Sequence, residues 1–334
     1  MKIIVDAFGG DNAPLEVLKG CRDAVLQYGC EIVLAGREAE IREIASKEGI
    51  SLDKMSIIDA PDVISMEDEP TLITKSMKNC SMAVGLQALA DGQGDAFITA
   101  GSTGAFLVGS TFIVKRIKGI KRPALGAVLP TDNGAYLLMD TGANVECRPQ
   151  MLLDFGIMGS IYMEKVMNIK NPRVGLVNVG TEETKGGELQ LETHALLKNS
   201  GLNFTGNVEA RDIPLSGCDV AVCDGFTGNV ILKLTEGLAK FFVGNIKGML
   251  TKNIFTKLAA LILSGGLKDF KKKMDYQEYG GAPLLGIRKP VFKAHGSSKA
   301  LAFKSAIGVA VNFCKNNVID EIEEKISKIK EATV

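Results

Sequence analysis

The sequence predicts an α/β protein in which a mostly parallel sheet is covered by helices on both faces, with one antiparallel hairpin inserted. Strand-like apolar runs alternate with amphipathic segments of helix length from the first residues onward, as in parallel strands joined by crossover helices. Glycine is abundant, at 37 of 334 residues, and suits tight turns between such strands and helices. These observations predict a three-layer α/β/α fold.

The N-terminal part of the chain is predicted to hold four strand–helix units. Strands are expected at residues 2–6, 31–35, 56–59 and 95–99, and helices at 14–28, 37–48, 72–91 and 103–117. Because each helix separates two strands, these four strands are predicted to run parallel.

The alternation changes in the middle of the chain. Apolar runs at 124–129 and 135–140 flank Asn133 and Gly134, and Asn-Gly between two such runs is a strong hairpin signal. Further strands are expected at 173–178, 203–208 and 219–223, and further helices at 149–168, 187–200, from 227, 297–316 and 318–331. No internal repeat or low-complexity linker interrupts the pattern, so residues 1–334 are predicted to form one domain with two lobes.

Composition and charge exclude several classes of protein. The 39 basic residues balance the 39 acidic ones, which argues against a nucleic-acid partner because such proteins carry a basic excess. Seven cysteines without a CxxC pair, and only two histidines, match no metal motif and are typical of a cytoplasmic protein. Asp6 and Asp11 interrupt any signal-peptide core, and the longest apolar run, residues 258–263, is far shorter than the ~20 residues of a membrane span.

Residues 240–285 differ from the rest of the chain and are predicted to form a basic amphipathic helical arm. Apolar residues recur there near helical spacing and are followed by Gly265 and Gly266. Between residues 247 and 273 one acid, Asp269, stands against seven lysines: Lys247, Lys252, Lys257, Lys268, Lys271, Lys272 and Lys273. Such an arm can lie on an anionic membrane surface or pack at a dimer interface, and the residue pattern leaves both open.

The first predicted strand runs directly into a glycine pair, in the segment DAFGGDNAP at residues 6–14. Gly9 and Gly10 let the backbone approach a ligand, and Pro14 is tolerated in the first turn of the following helix. A strand, loop and helix in this order can receive an anion, although the segment matches neither GxGxxG nor GxxxxGK[ST]. The segment therefore predicts phosphate binding without a standard nucleotide fingerprint.

Two further strand ends hold candidate binding loops. The segment TAGSTGA at 99–105 offers backbone donors and the hydroxyls of Ser102 and Thr103 to a phosphate. The segment MDTGAN at 139–144 offers an acceptor in Asp140 and an amide in Asn144. Each also has a structural interpretation, as a helix N-cap in the first case and an Asx turn in the second.

Three later segments complete the set of candidate loops. Lys185, in NVGTEETKGG at 178–187, is the cation best placed to hold an anion. In CDGFTGN at 223–229, Thr227 and Asn229 present donors where a helix begins, and they can either stabilise an oxyanion or cap the helix. His295, in AHGSS at 294–298, precedes another predicted helix.

Together with YGGAPLLG at 279–286, these segments resemble the phosphate acyltransferase family of bacterial phospholipid synthesis, whose members pass a fatty acyl group from acyl carrier protein to inorganic phosphate. The resemblance covers essentially the whole chain. It implies a fold similar to phosphotransacetylase and the isocitrate dehydrogenase-like α/β enzymes. It also implies a cytoplasmic homodimer without metal or organic cofactor, attached peripherally to the inner membrane face near the acyltransferase that uses the product. The membrane interpretation of residues 240–285 is favoured accordingly.

The resemblance, read with the residues, predicts direct attack of phosphate on the thioester. Phosphate is ionised at neutral pH, and the sequence holds neither GxSxG nor an evident catalytic triad. Lys185 is the candidate for neutralising phosphate, and Asn229 for donating to phosphate or to the thioester oxygen. The candidate substrate- and phosphate-binding residues are Asp6, Gly9, Gly10, Asp11, Gly101, Ser102, Thr103, Gly104, Asp140, Asn144, Thr227 and His295.

Other functions remain open from the sequence. A phosphotransacetylase-like transfer from acyl-CoA would use the same loops, and a non-catalytic regulator that binds an acyl group or phosphate would need only a glycine-rich cleft. An NAD-linked or decarboxylating dehydrogenase of the same fold is disfavoured, because no GxGxxG is followed by an acid about 20 residues on and no aspartates cluster for Mg²⁺.

Overall fold

A mixed sheet runs through the computed structural model, which describes residues 1–274 and 280–331. Its strands in those ranges are β1 (Lys2–Asp6), β2 (Glu31–Gly36), β3 (Met55–Asp59), β4 (Ala96–Thr99), β5 (Ala124–Thr131), β6 (Gly134–Met139), β7 (Val174–Asn178), β8 (Phe204–Glu209), β9 (Val220–Val222), β10 (Ala282–Leu285) and β11 (Val291–Lys293). The strand order is β3-β2-β1-β4-β11-β10-β5-β6-β9-β7-β8.

Helices cover both faces of this sheet. In the described ranges they are α1 (Leu15–Tyr28), α2 (Glu38–Lys47), α3 (Ser81–Ala90), α4 (Thr103–Gly109), α5 (Pro149–Lys165), α6 (Glu188–Lys198), α7 (Gly225–Leu250), α8 (Ile254–Ile262), α9 (Ser264–Met274), α10 (Ala300–Lys315) and α11 (Val318–Glu331). Ile3 of β1 belongs to the same buried cluster as Leu18 of α1, whereas its neighbour Ile4 belongs to another cluster with Leu86 of α3. Successive strand residues point to opposite faces, so the predicted three-layer α/β/α fold is confirmed.

The sheet consists of two parallel blocks that run in opposite directions. β3, β2, β1, β4 and β11 pair parallel with one another, and so do β6, β9, β7 and β8. Between the blocks, β10 pairs antiparallel with β11 and with β5, and β5 pairs antiparallel with β6. Three reversals of direction separate the blocks, so their carboxyl ends lie at opposite edges of the sheet.

The antiparallel hairpin is formed by β5 and β6, as the sequence predicts. Thr131 pairs with Gly134, which leaves a two-residue turn at 132–133. Gly134 has φ +148°, a backbone conformation that residues with a side chain rarely adopt. The Asn-Gly signal therefore located this turn correctly.

Two of the predicted helices are wrong in extent. The helix expected at 72–91 is a 3₁₀ helix over Pro70–Thr74 followed, after a break, by α3, and Cys80 caps α3 by accepting the N–H of Ala83. The helix expected at 103–117 leaves α geometry after α4, and Lys115 has φ +76°. β-branched residues are frequent over 110–114, and they fit an α-helix less well than unbranched ones.

Strands β10 and β11 were not predicted from the sequence. Each has only three or four residues, and β10 contains Pro283, so neither shows a strand pattern by itself. Neighbouring strands on both sides make them part of the sheet. The segment predicted as a helical arm, 240–285, therefore ends in the sheet at β10, and its residues 275–279 lie outside the described residues, as does the first residue of the motif at 279–286.

The long helix α7 and the shorter α8 leave most of their apolar side chains exposed. Only Gly225 and Gly228 of α7 are buried, and no residue of α8 is. Phe241 in α7 and Phe255 in α8 are 61% and 78% exposed, respectively. In the part of the chain that the structure describes, no helix has both the length and the apolar character needed to cross a membrane.

Candidate active site

A cavity of about 550 Å³ lies where the two blocks of the sheet meet. Part of its wall is apolar and consists of Leu125, Val128 and Leu129 of β5 together with Leu232 of α7. Its polar and charged lining residues in the described ranges are Asp11, Thr103, Thr141, Asn229, Lys233, Glu236, Lys293, His295 and Ser297. One cavity therefore combines an apolar surface with several charged groups and hydrogen-bond donors.

The loops that follow β1 and β4 pack against each other beside this cavity. Asp6 is buried at the end of β1 and accepts a hydrogen bond of 2.7 Å from the hydroxyl of Thr99, which in turn accepts the N–H of Gly101. Burial raises the pKa of Asp6, while hydrogen bonding to the side chains of Ser81 and Thr99 and to the N–H of Phe8 opposes the rise. A Cβ atom on Gly9 would lie 2.6 Å from the Asp6 carboxylate, so only glycine fits there.

The loop after β1 also contacts the segment after β11. The N–H of Asp11 donates to the carbonyl oxygen of Gly296 over 2.8 Å. Gly10 has φ +102°, and a Cβ atom there would lie 2.9 Å from the same oxygen. The amide of Asn12 donates to the carbonyl oxygen of Ser297. These contacts fix His295 and its neighbours relative to the glycine pair.

His295 is a neutral ring in this setting. Burial lowers its pKa below the ordinary value for histidine; the charge of Glu236 opposes this decrease, and nearby lysines add to it. Its Nδ1 accepts the backbone N–H of Ser297, so the neutral ring carries its proton on Nε2. The hydroxyl of Ser297 lies 2.9 Å from the same Nδ1.

Lys293 ends β11 and is almost completely buried, with 8% of its surface exposed. Its Nζ donates to the carbonyl oxygen of Ala294 over 2.7 Å. Burial lowers the pKa of Lys293 to about 8, although the charges of Asp6 and Asp11 work against this decrease. The cavity is thus bordered by a lysine whose charge changes near physiological pH.

The loop after β6 is held by a buried carboxylate and is joined to the start of α7. Asp140 accepts hydrogen bonds from the N–H groups of Leu125, Ala143 and Asn144 and from the Asn144 side chain. Burial nevertheless raises the pKa of Asp140. A Cβ atom on Gly228 would overlap the carbonyl oxygen of Asp140, so α7 begins in direct contact with this loop.

Comparison with known proteins identifies the family. A family model described as "Fatty acid synthesis protein" matches residues 1–321. A phosphate acyltransferase from Alkaliphilus oremlandii is 50% identical over 329 residues, covering 98% of both chains. Another, from Clostridium tetani, is 47% identical over 331 residues, covering 99% of both chains. The chain belongs to the phosphate acyltransferase family. It is accordingly an acyltransferase.

Solved structures of low sequence identity share the fold of this family member. A phosphotransacetylase from Streptococcus pyogenes aligns with a TM-score of 0.65 at 18% identity, covering 94% of both chains. The EutD phosphotransacetylase from Staphylococcus aureus aligns with a TM-score of 0.62 at 15% identity, covering 93% of this chain and 94% of its own. The predicted likeness to phosphotransacetylase in fold is confirmed.

The structure brings four of the residues selected from the sequence to the cavity wall. They are Asp11, Thr103, Asn229 and His295. They come from the loops after β1, β4 and β11 and from the start of α7, so segments far apart in the sequence meet at one place. Contact between these four residues and the substrate stays a prediction.

A second group of selected residues does not line the cavity. Ser102 caps α4 by accepting the N–H of Ala105, and a Cβ atom on Gly104 would lie 2.6 Å from Pro70. Asp140 and Asn144 support Thr141 and Gly142, which do line it. The members of this group are Asp6, Gly9, Gly10, Gly101, Ser102, Gly104, Asp140 and Asn144. Their contacts fit residues that hold loops in position.

Lys185 and Thr227 lie apart from this cavity. Thr227 lines a second hollow of about 380 Å³, together with Asn178, Gly186 and Gly187 from the loop that contains Lys185. Thr227 is engaged in the N-cap of α7, where both its N–H and its hydroxyl donate to Asp224. Lys185 is exposed, and its carbonyl oxygen accepts the amide of Asn178. Within one chain, the first turns of α7 separate Lys185 from the cavity.

Three charged residues at the cavity were not predicted from the sequence: Lys293, Lys233 and Glu236. Lys233 and Glu236 form an ion pair of 3.1 Å on α7 at the cavity. No motif marks that pair, because a charged pair three residues apart is common on helices. Lys293 carried a usable signal. It interrupts an otherwise apolar run just before His295, and lysine is rarely buried without a reason.

Proposed function

We propose that the chain transfers a long-chain fatty acyl group from acyl carrier protein to inorganic phosphate, giving an acyl phosphate for phospholipid synthesis. The observation that carries the proposal is the composition of the cavity. Leu125, Leu129 and Leu232 offer a surface for an acyl chain, while Lys293 and His295 offer partners for an anion in the same space. A transfer from a thioester to phosphate needs both.

The proposed reaction is a direct displacement. A phosphate oxygen attacks the thioester carbonyl carbon, a C–O bond forms, and the C–S bond breaks to release the thiolate, which then takes up a proton. The oxyanion that develops on the carbonyl oxygen needs a donor that is already in place. Asn229 is proposed to donate to this oxygen or to phosphate, since it lines the cavity and its amide is positioned by Thr141.

Ser297 and His295 form a hydroxyl–imidazole pair at the cavity, the arrangement used for nucleophilic catalysis in other enzymes. Here the two residues are only two positions apart, and Nδ1 of His295 also accepts the backbone N–H of Ser297. The contact is therefore a local turn. Because phosphate is itself a nucleophile, the proposed transfer needs no acyl-enzyme.

Lys185 is proposed as a catalytic residue that acts at the cavity of a second copy of the chain. It does not line the cavity of its own chain, so a direct role requires a second copy that carries it to the cleft. The homodimer implied by the family resemblance would supply that copy. The exposed position of Lys185 in a glycine-rich loop leaves it available for such a contact.

The decisive experiment offers the protein three substrates in turn. Acyl carrier protein loaded with a fatty acid is incubated with and without inorganic phosphate, and acyl phosphate is trapped with hydroxylamine. Phosphate-dependent hydroxamate supports the proposal. Product from acetyl-CoA but not from the carrier protein would instead indicate a phosphotransacetylase-like activity, and no product from acyl carrier protein, long-chain acyl-CoA or acetyl-CoA would contradict the proposed transfer to phosphate.

The exposed apolar side chains of α7 and α8 support the proposed contact with an anionic membrane surface near the downstream acyltransferase. Phe255, Leu258 and Ile262 are exposed on α8, and Lys257 lies between the first two. Flotation with vesicles tests this proposal. The protein is expected to float with anionic vesicles, and Leu258→Glu is expected to prevent it. Absence of flotation together with a dimer that Leu258→Glu disrupts would assign this surface to the second copy.

A further inference from the structure

Asp6, Thr99 and Lys293 form a row across the carboxyl ends of three neighbouring parallel strands. Val5 of β1 pairs with Ile98 of β4, so the next residues, Asp6 and Thr99, lie side by side. Thr99 pairs with Lys293 of β11. The Thr99 hydroxyl donates to the Asp6 carboxylate over 2.7 Å. A carboxylate and an ammonium group thus occupy the two ends of a row with a hydroxyl between them.

Lys293 has few partners for its charge. An ammonium group has three donors, and the bond to the carbonyl oxygen of Ala294 uses one. The charges of Asp6 and Asp11 act on Lys293 through space. Lys293 also borders the cavity, whereas Asp6 does not. A buried ammonium group at a cavity wall is stabilised when an anion enters the cavity and pairs with it.

We propose that Lys293 binds the phosphate that accepts the acyl group and that Asp6 is a positioning residue acting on it through the row. This inference rests on the proposed function, because it assigns one residue to one of its two substrates. It places the phosphate at the end of β11, beside His295 and the glycine pair. The acyl chain then occupies the apolar wall formed by β5 and α7.

Asp6 is suited to this role by its contacts. A Cβ atom on Gly9 would lie 2.6 Å from the Asp6 carboxylate and 2.7 Å from the Thr99 hydroxyl, so the glycine loop rests directly on this pair. The N–H of Phe8 donates to the same carboxylate. Asp6 therefore holds the loop that faces the phosphate and, through its charge, favours the protonated form of Lys293.

The charge of Lys293 sets a pH window for phosphate binding. Burial lowers its pKa to about 8, so the ammonium form is present below that pH and is lost as the pH rises through it. Asp6 and Asp11 favour the charged form and Lys233 disfavours it. The titratable groups around the cavity also include Glu236 and His295. Removing the Asp6 charge should move the loss of phosphate binding to lower pH.

Two measurements test the proposal. Binding of inorganic phosphate is measured by calorimetry, and turnover by the hydroxylamine trap. Lys293→Gln is expected to weaken phosphate binding at least ~10-fold, the effect of losing a charged hydrogen-bond partner. Its KM for the acyl donor should stay within about threefold of the wild type, because only the phosphate contact is removed. Lys299→Gln, at an exposed lysine outside the cavity, is the matched control.

Asp6→Asn keeps the shape of the side chain and removes its charge. Its phosphate binding should decline at lower pH than that of the wild type, and this difference is independent of the titration of phosphate itself. A purely structural role would lower the melting temperature without moving the pH dependence. Unchanged phosphate binding in folded Lys293→Gln, or an unmoved pH dependence in Asp6→Asn, would overturn the inference.

Failure of this inference can be told apart from failure of the proposed function. If Lys293→Gln does not fold, wild-type phosphate binding still has to weaken as the pH rises through about 8, and constant binding overturns the inference. Wild-type protein that binds phosphate but forms no acyl phosphate contradicts the proposed function and leaves the assignment of Lys293 intact. Turnover with unaltered phosphate binding in Lys293→Gln would contradict the assignment of Lys293 and leave the proposed function intact.

Discussion

The side-chain amide of Asn229 donates to the carbonyl oxygen of Thr141 over 3.1 Å. This bond joins the second turn of α7 to the loop after β6. Both residues line the cavity. The same contact explains why glycine follows Thr141, because a Cβ atom on Gly142 would lie 2.9 Å from the Asn229 amide nitrogen. An amide held this way can offer its second hydrogen to a substrate without losing its position.

Replacing Asn229 by alanine should therefore reduce turnover strongly. Loss of one preorganised oxyanion donor costs ~3 kcal/mol, or at least about a hundredfold in rate. The measurement is kcat in the hydroxylamine assay, with circular dichroism to establish folding. Asn245→Ala is the matched control, because Asn245 lies further along α7, is exposed and donates only within the helix, to Phe241. Nearly normal turnover in Asn229→Ala would remove this residue from the mechanism.

Lys185→Ala tests both the catalytic role of Lys185 and the second copy that this role requires. We expect a loss of about a hundredfold or more in turnover, as for removal of any charge that stabilises the reacting anion. Co-expression of Lys185→Ala with Asn229→Ala should then restore about a quarter of wild-type activity, because half of randomly formed dimers contain one intact site of two. No recovery would place Lys185 and Asn229 in the same chain's site. A normal turnover rate in Lys185→Ala would show that Lys185 takes no part in catalysis.

Ser297→Ala distinguishes direct transfer from a covalent route. Direct attack by phosphate leaves turnover within about tenfold of the wild type, because only a hydroxyl near the imidazole is removed. Wild-type protein mixed with labelled acyl donor in the absence of phosphate should show no label on the chain by intact mass. A stable acyl group at Ser297, lost on adding phosphate, would replace the direct mechanism by a two-step one.

Two glycines of α7 should respond oppositely to alanine. At Gly228 a Cβ atom would overlap the backbone carbonyl of Asp140, so Gly228→Ala should destabilise the protein by ~1–3 kcal/mol or more. At Gly237 no atom lies within 4 Å of the added Cβ. Gly237→Ala should stabilise the helix by up to ~1 kcal/mol, since alanine is the better helix former. Melting temperatures by circular dichroism measure both, and equal effects would contradict the packing described for Gly228.

Most of the fold was predictable because its signals are local. Alternating apolar runs and helical segments gave the layered sheet, and Asn133 with Gly134 gave the hairpin. β10 and β11 were not predictable, since strands of three or four residues become strands through their neighbours and not through their own pattern. The change of strand direction between the two blocks depends on β10 and β11, so it was not predictable from the sequence either.

The candidate site was predictable only in part. Glycine-rich strand ends pointed to the loops at Asp11, Thr103 and His295, because backbone freedom at a strand end can be read from residue types. The distinction between a loop that faces the cavity and one that supports it depends on packing. Asp140, for example, looks like a ligand-binding carboxylate in the sequence, yet its oxygens accept four hydrogen bonds from the chain itself. Lys293 was overlooked because its strand was overlooked.

The position of β10 and β11 has a consequence for how the molecule is assembled during synthesis. They are the last strands of the described chain, yet they lie between β4 and β5 and join the two blocks of the sheet. The ribosome releases the chain from its N-terminus, so the strands of both blocks are synthesised before β10 and β11, which connect them. Lys293 lies in β11 and His295 follows it, so both are synthesised with these last strands. A chain interrupted before residue 282 would hold two unjoined half-sheets and no cleft, and acyl transfer is therefore a property of the finished polypeptide only.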